Sequence, residues 1–155
     1  MLHATRLTQP QLRILYTVFG NNVPRERILQ HLRGYCDSRP VRIGNAARTQ
    51  LQLDVYGEVV DAAAQFAFHG RRFDRTTQRV LVDIGKFVAT NWRRPDEGIW
   101  EPRSRRQHHT HSRLLCWAAL DRLHKMAIDG VIGQAPIQKF VNEREAIRHD
   151  IHEHA

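Results

Sequence analysis

The sequence predicts an all-α fold of antiparallel helix pairs, of the kind that stack into an α/α solenoid or toroid. Three observations carry this. Four long stretches space their apolar residues three and four apart, the helical period. Polar segments containing proline or glycine separate the stretches, so each helix stops before the next begins. Only one short segment alternates with the period of a strand.

That segment comes first. Leu12, Ile14, Tyr16 and Val18 fall on one face of an extended chain, and Gly20, Asn21 and Asn22 end it. Pro24 suits a first helical turn, so a short helix is expected from there to Arg33. Residues 34–44 read as a long loop. The first long helix is expected over about 46–68, with Leu51, Val55, Val59, Ala62 and Phe66 as its apolar stripe. Asp54, Glu58, Asp61 and Gln65 form a polar stripe on the same stretch, read either as a solvated face or as the lining of a polar cavity.

The second helix is expected over about 76–92, with Leu81, Ile84, Val88 and Trp92 on one side and Pro95 ending it. A polar loop over 94–107 follows. The third helix is expected over about 110–127, with Leu114, Leu115, Trp117, Ala118 and Leu123 as core candidates. Residues 130–134 break it. The fourth is expected over about 136–152, amphipathic through Phe140, Val141, Ile147 and Ile151. There is no internal repeat.

The 155 residues suffice for one domain with a real core. At 41% hydrophobic and 26% charged, the composition is that of an ordinary globular protein. No run approaches the roughly 18 apolar residues of a membrane span, and no apolar stretch follows Met1, so a cytoplasmic protein without a membrane partner is expected. Cys36 and Cys116 read as free thiols. The formal charge of +8 suits a nucleic-acid partner only in the non-specific sense. The densest basic run, Arg103, Arg105 and Arg106, has no aromatic interleaved, so no nucleic-acid partner is expected. In two histidine groups, His108, His109 and His111, and His149, His152 and His154, no Asp, Glu or Cys completes a convincing ligand set. No metal and no cofactor is expected.

The chemistry-bearing segment is Pro95–Arg103, PDEGIWEPR. A carboxyl directly after a tryptophan, on a glycine-containing loop, has two physical uses. The indole can stack on a sugar face. Its apolar surface can also raise the carboxyl pKa and keep a general acid protonated. An exposed glutamate beside a packed tryptophan is the plain alternative.

Beyond this loop, GYCDSRPVRIGNAA at 34–47 and QLQLDVYGE at 50–58 resemble the bacterial branch of glycoside hydrolase family 15. That family contains glucoamylases, glucodextranases and a group of trehalases. EGIWE at 97–101 resembles its catalytic-acid loop, CWAALDR at 116–122 its next inner-helix motif, and EREAIR at 143–148 a further helix. The motifs run in the family's order from about Leu12 to the end.

The resemblance implies a partial (α/α)6 toroid, residues 1–155 forming an incomplete catalytic domain with a short N-terminal strand remnant. It implies an inverting α-glucosidase acting on an α-glucoside or α-glucan, with one protonated carboxyl and one carboxylate-activated water. By position, Glu101 is the general acid, Trp100 walls the glucose subsite, and Arg103 orients Glu101 or touches substrate. Asn45, Gln52 and Asp54, at the start of an inner helix, are implied for sugar hydroxyls.

Pro102 stands where fungal glucoamylases carry a second glutamate, which points to the trehalase-like branch. Residues 108–113 carry histidines where the family has aromatics, and Arg113 where lysine is usual. The family's base and its N-terminal β-sandwich have no counterpart here. The chain is therefore expected to be inactive alone and to self-associate through unpaired helix faces. A non-catalytic carbohydrate-binding or scaffold remnant, and a basic nucleic-acid-binding helical domain, are the alternatives.

Overall fold

The structure, a computed structural model, describes residues 11–100 and 105–154. They form two compact units, residues 13–50 in one and, in the other, Gln11 and Leu12 with the described residues from Leu51 on.

The first unit holds the only paired strands among the described residues. β1 (Arg27–Ile28) and β2 (Arg42–Ile43) are antiparallel, with Arg27 opposite Ile43 and Ile28 opposite Arg42. Two expectations fail here. The helix expected after Pro24 does not form, because its residues supply β1, and the loop over 34–44 contributes β2. The strand expected over 12–18 reduces to a single bridge between Tyr16 and Asn22. Period-two alternation needs a partner strand to become a sheet, and among the described residues none lies alongside. The unit ends in a 3₁₀ turn, Ala46–Thr49, whose N-cap is Asn45.

The second unit contains four helices: α1 (Asp54–Phe68), α2 (Arg75–Asn91), α3 (Thr110–Ile128) and α4 (Ile137–His154). Short connections join α1 to α2 and α3 to α4, which forces sequential neighbours to run antiparallel. α1 packs chiefly on α3, and α2 packs on both α3 and α4. Such skipping contacts are what a ring of helix pairs requires, and the unit is consistent with part of a helical toroid. None of the described helices is long and apolar enough to cross a membrane.

The core draws on all four helices through Tyr56, Val60, Leu81, Ile84, Val88, Leu120, Leu123, Met126, Phe140 and Ile147. The α2 stripe is the one expected. The α1 stripe is not: Phe66 and Ala62 face outward, and the helix buries Tyr56, Gly57, Val60, Ala63, Ala64 and Ala67. The cause is close packing on α3. A Cβ on Gly57 would lie 2.5 Å from the Leu115 carbonyl oxygen, so only glycine fits that position. On α3, Leu114 is likewise exposed, and Cys116, Ala119 and Leu120 take the core positions.

A polar seam binds the same helices. The buried Asp121 on α3 meets Arg122 at 2.8 Å, Lys125 at 3.0 Å and Arg144 of α4 at 3.1 Å. Arg122 also donates to Asp61 of α1 at 2.8 Å. The motifs at 116–122 and 143–148 thus meet as a structural clamp. Elsewhere on α4, Glu143 accepts from the Trp92 indole N–H and from Arg93, each at 2.8 Å.

Candidate active site

The loop after α2 is fixed at its stem by backbone and side chain together. Asp96 and Gln107 exchange two backbone hydrogen bonds, of 2.9 and 3.0 Å. The Glu97 N–H donates to the Leu51 carbonyl at 3.0 Å, and the Leu51 N–H donates to Glu97 Oε2 at 2.7 Å. Arg106 pairs with Glu97 Oε1 at 2.9 Å across the stem. Gly98 has φ +61°, and a Cβ there would stand 2.7 Å from the His109 ring. Glycine is needed twice over, for the left-handed backbone and for the ring.

From this stem the chain leads to Trp100, which is 90% exposed. An open indole offers a face for a sugar ring. Glu101 and Arg103 lie outside the described residues.

Gln52 and Asp54 stand beside the stem and are buried, at 7% and 4% exposure. Asp54 opens α1. Its Oδ2 is 3.8 Å from His111 Nδ1, and its buried Oδ1 has no hydrogen-bond partner among the described residues. A buried polar atom without a partner is costly, and is a mark of a site that awaits a ligand as well as of strain. Burial raises the Asp54 pKa above its ordinary value, and the Asp96 charge adds to this; its own backbone N–H, His111 and the Val55 N–H oppose it.

Asp96 is buried at 1% exposure; it lies in the segment PDEGIWEPR, whose reading gave it no role. Its Oδ2 accepts from the Leu53 N–H at 2.8 Å and from Ser112 Oγ at 2.9 Å. The Cys116 thiol points at the Leu53 carbonyl, 3.7 Å away, and burial pushes it up to about 12, so it is inert as a nucleophile.

Asn45 departs from expectation. It is not at the start of α1 but caps the separate 3₁₀ turn, its Oδ1 accepting from the Ala47 N–H at 2.8 Å. It belongs to the first unit, while Gln52, Asp54 and Trp100 belong to the second. His108 accepts from Arg113 at 3.0 Å, and Arg113 pairs with Asp150 of α4. Among the described residues no three metal-ligating side chains gather.

The chain has recognisable relatives. The family model of the glycosyl hydrolases of family 15 matches residues 3–154. Trehalase 1 of Sulfolobus acidocaldarius is 41% identical over 126 residues, which cover 76% of this chain and 22% of that protein. Trehalase of Mycolicibacterium smegmatis is 40% identical over 116 residues, covering 75% of this chain and 17% of its own length. Trehalase of Thermoplasma volcanium is 33% identical over 141 residues, covering 91% and 22%. The chain thus spans about a fifth of the curated relatives it matches. No solved structure matches it significantly.

Proposed function

The chain belongs to the glycosyl hydrolases of family 15, and on that premise we propose that it is the acid-bearing segment of an inverting trehalase-like α-glucosidase. The observation that carries this is the stem at Asp96–Glu97 and Gln107. It fixes both ends of the loop to each other and to Leu51, and from it the chain leads to the exposed Trp100, which Glu101 follows in the sequence.

In this reading Trp100 stacks on the glucosyl ring and Glu101 protonates the glycosidic oxygen. Gln52 and Asp54 bond sugar hydroxyls, the free Oδ1 of Asp54 being the acceptor nearest to hand. Arg103 orients the Glu101 carboxyl. Asn45, whose side chain caps its own 3₁₀ turn in the first unit, is left out of this set. Water must be deprotonated on the opposite face of the sugar by a carboxylate about 6.5–9.5 Å from the acid. That base comes from family sequence outside these residues. The exposed Phe66, Phe68 and Leu114 support further helix partners for this unit or self-association. Trehalose is the substrate proposed, from the names of the relatives.

The test is a graft. This chain replaces the matching stretch of Sulfolobus acidocaldarius trehalase 1. The graft is expected to release glucose from trehalose in preference to maltose or starch, and the 155-residue chain alone to release none. A graft that folds like its parent and leaves trehalose intact sinks the reading. Glucose release by the chain alone would place a base within these residues.

A further inference from the structure

One buried oxygen collects the entrances of two helices and the exit of a third. Asp96 follows α2, Leu53 immediately precedes α1, and Ser112 sits in the first turn of α3. Leu53 N–H and Ser112 Oγ both donate to the same Asp96 oxygen, at 2.8 and 2.9 Å. Through its backbone, Asp96 also holds Gln107, the return strand of the loop.

We propose that Asp96 is a positioning residue, a staple whose carboxylate fixes the loop carrying Trp100 and Glu101 to the first turns of α1 and α3. This rests on the reading of that loop as the acid loop.

Comparison of the available anchors favours Asp96. The Arg106–Glu97 ion pair crosses the same stem, but the Arg106 side chain is 41% exposed, and pairs of that kind contribute little. Hydrogen bonds to a buried charged group are among the stronger ones, and their loss leaves donors unsatisfied. Leu53 is flanked by Gln52 and Asp54, so the staple sets the acid loop in register with both proposed sugar contacts. The same carboxylate stands close enough to Asp54 to raise its pKa, which provides a readout that mere scaffolding would not move.

Both donors use a single oxygen, so an asparagine carbonyl can replace it while the charge disappears. Asp96→Ala removes both. The experiment measures amide hydrogen exchange across the 155-residue chain and the Asp54 titration by carboxyl carbon NMR. In Asp96→Ala, exchange at Leu53, Glu97 and Gln107 is expected to rise about tenfold or more, with α2 and α4 unchanged. Asp96→Asn is expected to restore most of that protection and to lower the Asp54 midpoint.

Unchanged protection in Asp96→Ala overturns the proposal. So does a uniform loss across all four helices that Asp96→Asn fails to restore, and so does an Asp54 midpoint that stays put in Asp96→Asn. Should Asp96→Ala not fold, Ser112→Ala removes one donor alone. A smaller, equally local rise in exchange then supports the staple, and none refutes it. A separate trehalose titration, read by Trp100 fluorescence in the wild-type chain, tests the sugar reading without touching these outcomes.

Discussion

Two buried aspartates in the same helical unit have opposite surroundings. Asp121 is 6% exposed and meets three cations, from its own helix and from α4. Burial alone would raise its pKa, but the Lys125 hydrogen bond and the charges of Lys125, Arg144 and Arg122 win and hold it low. Asp54 is as deeply buried, yet it keeps one oxygen unpartnered and faces another carboxylate, and its pKa is raised. A buried charge that serves the fold is compensated by the fold. Where compensation is left incomplete, at the start of α1, we propose that a ligand supplies the missing partner.

The largest expected effect that would break this contrast is at the compensated site. Asp121→Ala strands Arg144 and Arg122 and should cost about 3 kcal/mol, the low end for a broken buried pair because Lys125 and Arg122 keep contact with water. Urea unfolding measures it, and a loss under about 1 kcal/mol would demote the seam to a surface ornament. Next, Gly57→Ala drives a methyl into the Leu115 backbone and should cost about 1–3 kcal/mol by overpacking α1 against α3. A neutral result would mean that the two helices do not approach as closely as drawn.

Asp54→Asn should go the other way. The folded protein binds the Asp54 proton more tightly than the unfolded chain does. Its contribution to stability is therefore complete below the ordinary value of 3.8 and is lost as pH rises through the folded value. The amide removes that loss, so Tm should rise at pH 7, and the gain should shrink as pH falls toward 3.8. Asp121 has the reverse sign: its contribution is present above 3.8 and is lost as pH falls through its lowered folded value. Thermal melts of Asp54→Asn across pH 3–7 separate the two, and a variant less stable at pH 7 would show that Asp54 is a structural group like Asp121.

The helical unit was legible where periodicity and breakers agreed. α2, α3 and α4 begin and end within two residues of expectation, and Leu81, Ile84, Val88 and Trp92 are buried as a stripe. The start of α1 was not. Residues 46–53 have helical composition, but they form only the 3₁₀ turn Ala46–Thr49 before α1 opens at Asp54. The Leu51 and Leu53 N–H groups are taken by Glu97 and Asp96, more than 40 residues away. Hydropathy also prefers large residues, whereas α1 buries Ala63, Ala64 and Ala67 and meets α3 at Gly57. β1 and β2 arise from long-range pairing that no local signal announces. At the site, Asp54 was visible in the polar stripe of the first helix, and only the family resemblance implied it for sugar hydroxyls. Asp96 stood inside the segment at 95–103, but its anchoring role was not legible, because its partners are one backbone N–H and one hydroxyl that share no motif with it.

The most direct test of the central claim separates proton donation from everything else the loop does. In the grafted trehalase, Glu101→Gln keeps the shape of the side chain and removes its donatable proton. Trehalose has a leaving group that needs protonation, and α-glucosyl fluoride has one that does not. We expect hydrolysis of trehalose to fall by about 10²–10⁴-fold while α-glucosyl fluoride is spared. Equal losses on the two substrates, or trehalose hydrolysis at the parent rate, would contradict the assignment of Glu101 as the general acid.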